Sequence, residues 1–176
     1  MAERSTWARF RTKQRRQAVD FSSGYYDVAQ TVITTKGSKI DGATTIAALK
    51  DAKLGAQVDT NSYTAITDQI QPRAEPAGYD TTNSAAHALA YGQVDGIVVN
   101  LPTAQYMTTA QLDDAAIVGQ LPARTGIEDQ FGMVLAKGSP LTPCVTAAVD
   151  ALRDDGTLDQ LEKHWLAGTA GAPVLS

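Results

Sequence analysis

The chain has 176 residues and a mass of 18.6 kDa, with 43% apolar and 19% charged residues, and it carries a net charge of -4. That length suits one domain or two small lobes, burying roughly 70% of the surface exposed when unfolded. No stretch approaches the ~20 consecutive apolar residues of a membrane-spanning helix. A single cysteine, Cys144, excludes an intramolecular disulfide and every multi-cysteine metal site. Met1 is followed by polar and basic residues, so no signal peptide is expected at this start.

Charge is unevenly spread. Arg4, Arg9, Arg11, Lys13, Arg15 and Arg16 lie in the opening segment, whereas from Gln17 onward nine bases face eighteen acids. Clustered bases can tether phosphates, but with Trp7 and Phe10 as the only aromatics the segment reads better as a solvated terminus. No nucleic-acid partner is expected.

The β-rich run Thr31-Val32-Ile33-Thr34-Thr35, closed by Lys36-Gly37, predicts a strand. Ile46 and Leu49 predict a short helix over residues 44–50, leading to a strand over 54–58. Asp59-Thr60-Asn61-Ser62 then supplies N-cap residue types before a helical stretch ending near Ile70. Residues 72–78 read as a loop, 84–92 as an alanine-rich helix stopped by Gly92, and 95–100 as a buried strand. Pro102 suits the first position of another helix, running through Tyr106. Strands are expected at 117–121 and 131–136, around a polar segment at 124–130. Leu141, Val145, Ala148, Val149 and Leu152 form one stripe of a helix ending at Gly156. Thr157 and Gln160 have capping-box spacing for a last helix burying Leu158, Leu161 and Trp165, after which the Gly/Ala/Pro-rich end is expected to fray. Strands alternating with helices predict an α/β fold with a largely parallel sheet.

Signatures for phosphate loops, dinucleotides, zinc proteases and serine hydrolases are absent, so no enzyme, cofactor or metal site is expected. His87 and His164 read as surface helical residues. Cys144, beside Pro143 at a helix start, reads as a small buried filler. Asp113-Asp114 and Asp154-Asp155 read as solvated turns and helix ends, since sequence neighbours on a helix do not face each other. What remains is the turn at residues 58–62, where backbone N–H groups and the helix dipole converge on an anion. Asn100-Leu101-Pro102 closes another strand in the same way. Both are either ligand-holding turns or ordinary strand-to-helix connections.

Several motifs occur together and in order. Thr12-Lys13-Gln14-Arg15, Val19-Asp20-Phe21-Ser22 and Tyr25-Tyr26 resemble T-x-x-R-x-x-x-V-D-F-S-x-P-Y-Y of the family 3 extracellular solute-binding proteins, the amino-acid receptors of bacterial ABC transporters. Residues 54–62 are similar to V-G-V-x-x-G-T-x-S. Ala88-Leu89, Gly92, Val94-Asp95-Gly96 and Pro102 follow A-L-x-x-G-x-V-D-A-x-x-x-D-x-P. Glu128, Phe131-Gly132 and Lys137-Gly138 resemble E-x-Y-G-x-x-x-x-K-G, and Asp155-Gly156-Thr157 with Lys163 and Trp165 resembles D-G-T-x-x-x-I-x-x-K-W.

The resemblance implies a type II periplasmic-binding-protein-like α/β fold with one complete lobe and the C-terminal part of the other. Residues 1–29 would be a residual lobe-one segment with the arginine motif, 30–121 lobe two, and 122–176 the return crossing and lobe-one helices, with the chain crossing twice. It implies a non-catalytic, extracytoplasmic receptor for a polar amino acid or similar zwitterion, closing on its ligand like a hinge and delivering to an ABC permease. Arg15 would clamp the ligand carboxylate, with Thr60 and the N–H groups of Asn61 and Ser62. Asn100 falls where the family has the aspartate that receives the ammonium, and Asp59 replaces a family glycine. Two alternatives accompany this reading: a truncated, non-binding fragment that forms homodimers through the apolar faces of its incomplete lobe, and a dehydratase of small carboxylic acids on the same fold.

Overall fold

The computed structural model describes residues 9–10, 15–123, 130–166 and 172–176. The chain forms two compact units, one of Met1–Val28 with Arg124–Gly168 and one of Ala29–Ala123 with Thr169–Ser176. It therefore passes between units three times, where the resemblance implies two. The domain expectation kept all of 122–176 in lobe one; its last residues belong instead to the second unit.

Before the first passage lie β1 (Arg9–Phe10), α1 (Arg15–Ala18), β2 (Val19–Phe21) and β3 (Tyr26–Asp27). The second unit follows with β4 (Gln30–Thr35), a 3-10 turn (Ile46–Leu49), β5 (Leu54–Gln57) and α2 (Asn61–Ala65), which runs without a break into a π turn (Ile66–Ile70). Then come β6 (Ala77–Tyr79), α3 (Thr82–Ala90), β7 (Gly96–Asn100), α4 (Leu101–Tyr106) continuing as a π turn (Met107–Gln111), and β8 (Ala115–Gln120). The return to the first unit brings β9 (Gln130–Gly132), β10 (Val134–Ala136), α5 (Thr142–Asp154) and α6 (Thr157–Leu166).

In the second unit one sheet has the order β6-β5-β7-β4-β8. β5 is parallel to both β6 and β7, while β4 is antiparallel to β7 and to β8. Four strands thus point one way, as the α/β alternation predicts, and β4 alone runs against them. The antiparallel pairing sets Gln30, at the start of β4, opposite Asn100, at the end of β7. β4 lies inside the sheet, between β7 and β8, and its β-branched residues are buried on both faces. Alternation sends Val32 and Val98 into a core with Leu54, Ile66 and Leu175, and sends Ile33, Ile97 and Val99 into a second core with Leu89 and Met107. Thr34, buried among them, donates its hydroxyl to the Asp95 carbonyl at 2.6 Å, which satisfies its polar atom.

Four local expectations are corrected. The 72–78 loop contains the edge strand β6, which has only three residues and carries a glycine. The helix at Pro102 begins one residue earlier, at Leu101, with Asn100 as N-cap. The 131–136 strand splits around Met133, because β9 pairs with β1 and β3 whereas β10 pairs with β2. The end of the chain is also ordered at residues 172–176, where the Gln120 N–H donates to the Pro173 carbonyl at 2.7 Å, the Leu175 N–H to the Gln120 carbonyl at 2.9 Å, and Leu175 is buried.

In the first unit α5 buries Val149, but Leu141, Leu152 and, on α6, Leu161 are exposed, so the expected apolar stripe is only partly covered. Trp165 lies outside the described side chains. Cys144 is exposed, contrary to the expected filler; five positions from Val149, it lies about 140° around the helix from the buried face. At the start of α6 the expected Thr157 cap is replaced by Asp155, whose carboxylate accepts the Thr157 N–H at 2.8 Å; the Thr157 side chain first, and this N–H second, hold its carboxyl below the ordinary carboxylate range. Asp20 joins β2 to the β10 turn, accepting from Lys137 Nζ at 3.0 Å and from the Gly138 N–H at 2.7 Å. Residues 124–129 of the polar segment, Glu128 among them, lie outside the described residues. His87 and His164 are exposed on helices, and Asp113-Asp114 sit in an exposed turn, as read from the sequence.

Candidate ligand site at the carboxyl edge of the sheet

The parallel strands β5 and β7 end at one edge of the sheet, and each is followed directly by a helix. β4 begins at that same edge because it runs the opposite way. Three polar groups from distant parts of the sequence therefore meet there: the turn after Gln57, the Asn100 cap and Gln30.

The turn after β5 is built by backbone geometry. The Val58 N–H still reaches the Tyr79 carbonyl of the neighbouring strand at 2.9 Å. Asp59 then has φ of 57°, the left-handed region that favours glycine and tolerates aspartate. This is the position at which the resembled family motif has glycine, so the turn is kept and the side chain is added, exposed. Thr60 returns to extended geometry as the N-cap. Its hydroxyl donates to the Gln57 carbonyl at 2.7 Å and accepts the Tyr63 N–H at 3.3 Å. The Thr60 hydroxyl proton is therefore spent inside the turn, and the residue shapes the helix start.

Asn61 and Ser62 are the first two residues of α2, the one half-buried and the other buried. The Ser62 N–H has no partner among the described residues, as expected for the first turn of a helix. The Ser62 hydroxyl donates to Gln30 Oε1 at 2.7 Å, and Gln30 is itself only 4% exposed. Gln30 Nε2 is buried without a hydrogen-bond partner among the described residues. At the neighbouring helix start, Asn100 Oδ1 accepts the Thr103 N–H at 3.0 Å, so the residue standing where the family has aspartate works as a cap.

The structure thus brings Asp59, Thr60, Asn61, Ser62 and Asn100 to one edge of one unit. Arg15 is placed in the other unit at the start of α1, and its side chain lies outside the described ones. Gln30 was missed in the sequence: it stands as an isolated polar residue ahead of a β-branched run, and only the antiparallel entry of β4 carries it to this edge. Among the described residues no three His, Cys, Asp or Glu side chains gather in a way that could hold a metal ion. No helix of the described residues is long and apolar enough to cross a membrane.

Comparison with known proteins agrees with this architecture. The ABC transporter glutamine-binding protein GlnH of Bacillus subtilis (strain 168) is 26% identical over 164 residues, covering 88% of this chain and 54% of its own length, so the chain spans about half of that relative. A solved amino acid ABC transporter substrate-binding protein from Streptococcus pneumoniae Canada MDR_19A, bound to L-arginine, superposes with a TM-score of 0.67 at 20% identity over 93% of this chain and 65% of that one. The ancestral amino acid-binding protein AncCDT-1, described as a precursor of cyclohexadienyl dehydratase, gives 0.64 at 26% identity over 89% and 64%. These neighbours share the type II periplasmic-binding-protein fold, of which this chain represents about two thirds. Residues 7–168 match the bacterial extracellular solute-binding proteins, family 3, and the chain belongs to that family.

Proposed function

We propose that this chain acts, without catalysis, in the receptor component of an ABC importer, and that it receives the carboxylate of a polar amino acid or related small zwitterion. The observation that carries this reading is the turn after β5. A left-handed residue at Asp59 and the Thr60 cap set up a helix start whose Ser62 N–H has no partner among the described residues, at the edge where small ligands of α/β sheets collect. Arg15 is the proposed guanidinium for the same carboxylate, chosen because a planar fork matches two oxygens. Asn100 offers a carboxamide where the family has an acid, which removes a candidate proton-transfer group as well as a charge, and this favours binding over dehydration. An ABC permease is the proposed partner and an extracytoplasmic location the proposed site of action, both supported by family membership. The exposed Leu141, Leu152 and Leu161 support self-association of this chain, which light scattering tests: a monodisperse monomer rejects it.

The test of the main reading is a thermal melt against the twenty common amino acids. A ligand at a hundred times its dissociation constant adds about 2.7 kcal/mol, a shift of several degrees for a protein of this size. One compound class shifting the melt, with the shift lost in Arg15→Ala, supports the reading. A cooperative melt that no amino acid moves rejects it.

A further inference from the structure

Gln30 opens β4, is 4% exposed, and presents a carboxamide to the first turn of α2. Its Oε1 accepts a hydrogen bond from the Ser62 hydroxyl at 2.7 Å, and its Nε2 is buried with no partner among the described residues. A carboxamide has two donors and one acceptor oxygen, and burying the donors idle is the costly half of that arrangement. Oxygen and nitrogen in such a group are fixed by the network around them, and a half-turn exchanges them. After the half-turn Nε2 donates to Ser62 Oγ, and the hydroxyl, still protonated, is free to donate elsewhere. Ser62 then has two donors to offer, that O–H and the N–H that has no partner among the described residues. Neighbouring polar groups do not compete, because the Thr60 hydroxyl is spent on Gln57 and Tyr63, and Asn100 Oδ1 on the Thr103 N–H.

We propose that Gln30 is a positioning residue for Ser62: by donating Nε2 to the Ser62 oxygen it turns the Ser62 hydroxyl toward an incoming carboxylate. This rests on the amino-acid reading above. An anion supplies the driving force for the half-turn, since a hydroxyl donating to a charged oxygen forms a stronger bond than one donating to a neutral amide. Gln30 touches no ligand in this scheme and acts only through Ser62.

The test is a double-mutant cycle read in dissociation constants. The twenty common amino acids are screened by calorimetry, and the tightest binder serves as the probe for Ser62→Ala, Gln30→Met, the double variant and Gln30→Glu, with melts to establish that each is folded. Ser62→Ala and Gln30→Met are each expected to weaken the probe about tenfold, the worth of one hydrogen bond to a charged group, and the double variant to be no weaker than Ser62→Ala alone. Gln30→Glu keeps the shape and still accepts the Ser62 proton, but an ionised carboxylate donates nothing, so it is expected to weaken the probe as Gln30→Met does. A merely structural Gln30 would lower melting temperatures without this coupling in affinity. Wild-type affinity in folded Gln30→Met or Gln30→Glu overturns the positioning role alone, as does a double variant whose losses multiply. Failure of the wild-type chain to bind any of the twenty removes the amino-acid reading, and the positioning role with it.

Discussion

Leu175→Ala tests how much the last residues contribute to the second unit. The Leu175 side chain is 1% exposed and packs in the core that holds Val32, Leu54, Ile66 and Val98. It lies so close to β8 that a Cβ added at Gly119 would meet its Cδ2 at 2.7 Å. Truncating a buried leucine to alanine costs about 2–5 kcal/mol, depending on how well the site collapses. Here the loss is bounded, because residues 172–176 join the unit through a few backbone bonds and can detach from it. Detachment gives up the pairing of Gln120 with Pro173 and Leu175 and the bond from the Ile46 N–H to the Ser176 carbonyl, and exposes one face of the core. The lower part of the range, about 2–3 kcal/mol, is therefore expected, or roughly 8–12 °C in melting temperature for a unit of this size. The assay is a thermal melt with amide exchange followed at Gln120 and Ile46, and with Val174→Ala, at 62% exposure, as the control expected to stay within about 0.5 kcal/mol. A Leu175→Ala protein within about 0.5 kcal/mol of wild type, with exchange at Gln120 unchanged, would refute the docking argument.

Two further outcomes follow from local geometry. At Asp59, with φ of 57°, Asp59→Val is expected to lose about 1–2 kcal/mol in denaturant melts, whereas Asp59→Gly is expected to lose nothing; equal loss in both would remove backbone strain as the cause. Asp20 is held below its ordinary value of 3.8 by its hydrogen bonds to Lys137 and the Gly138 N–H. A depressed carboxyl stabilises above the unfolded value and loses that contribution as the pH falls below it, so the stability gap between wild type and Asp20→Asn should be full near neutrality and close below about 3.8. A gap that is independent of pH would show that the charge plays no part.

Much of the fold was legible because local rules and tertiary demands agree. The β-branched run at 31–35 is β4, the N-cap cluster at 59–62 starts α2, and the glycines at 92 and 156 end α3 and α5 with φ of 66° and 78°. The ordered motifs from Thr12 onward placed the chain in its family, and residues 7–168 match it. Where the reading failed, the deciding information was not local. β6 is three residues long and exists because β5 offers it a parallel edge. The tail looked like a frayed end, since nothing in Pro173-Val174-Leu175 announces that β8 has room for it at Gly119. Cys144 was read as buried although only the face around Val149 faces the core.

The candidate site divides in the same way. By itself the sequence determined the turn: a strand end, a residue that tolerates the left-handed region and a capping threonine are neighbours along the chain, and their chemistry acts at short range. Tertiary structure alone decided that Gln30 joins them. Gln30 lies 32 positions from Ser62, and only a β4 running against its neighbours brings its carboxamide beneath the first turn of α2. Strand direction is fixed by where the chain enters the sheet, a long-range property that no local residue pattern carries.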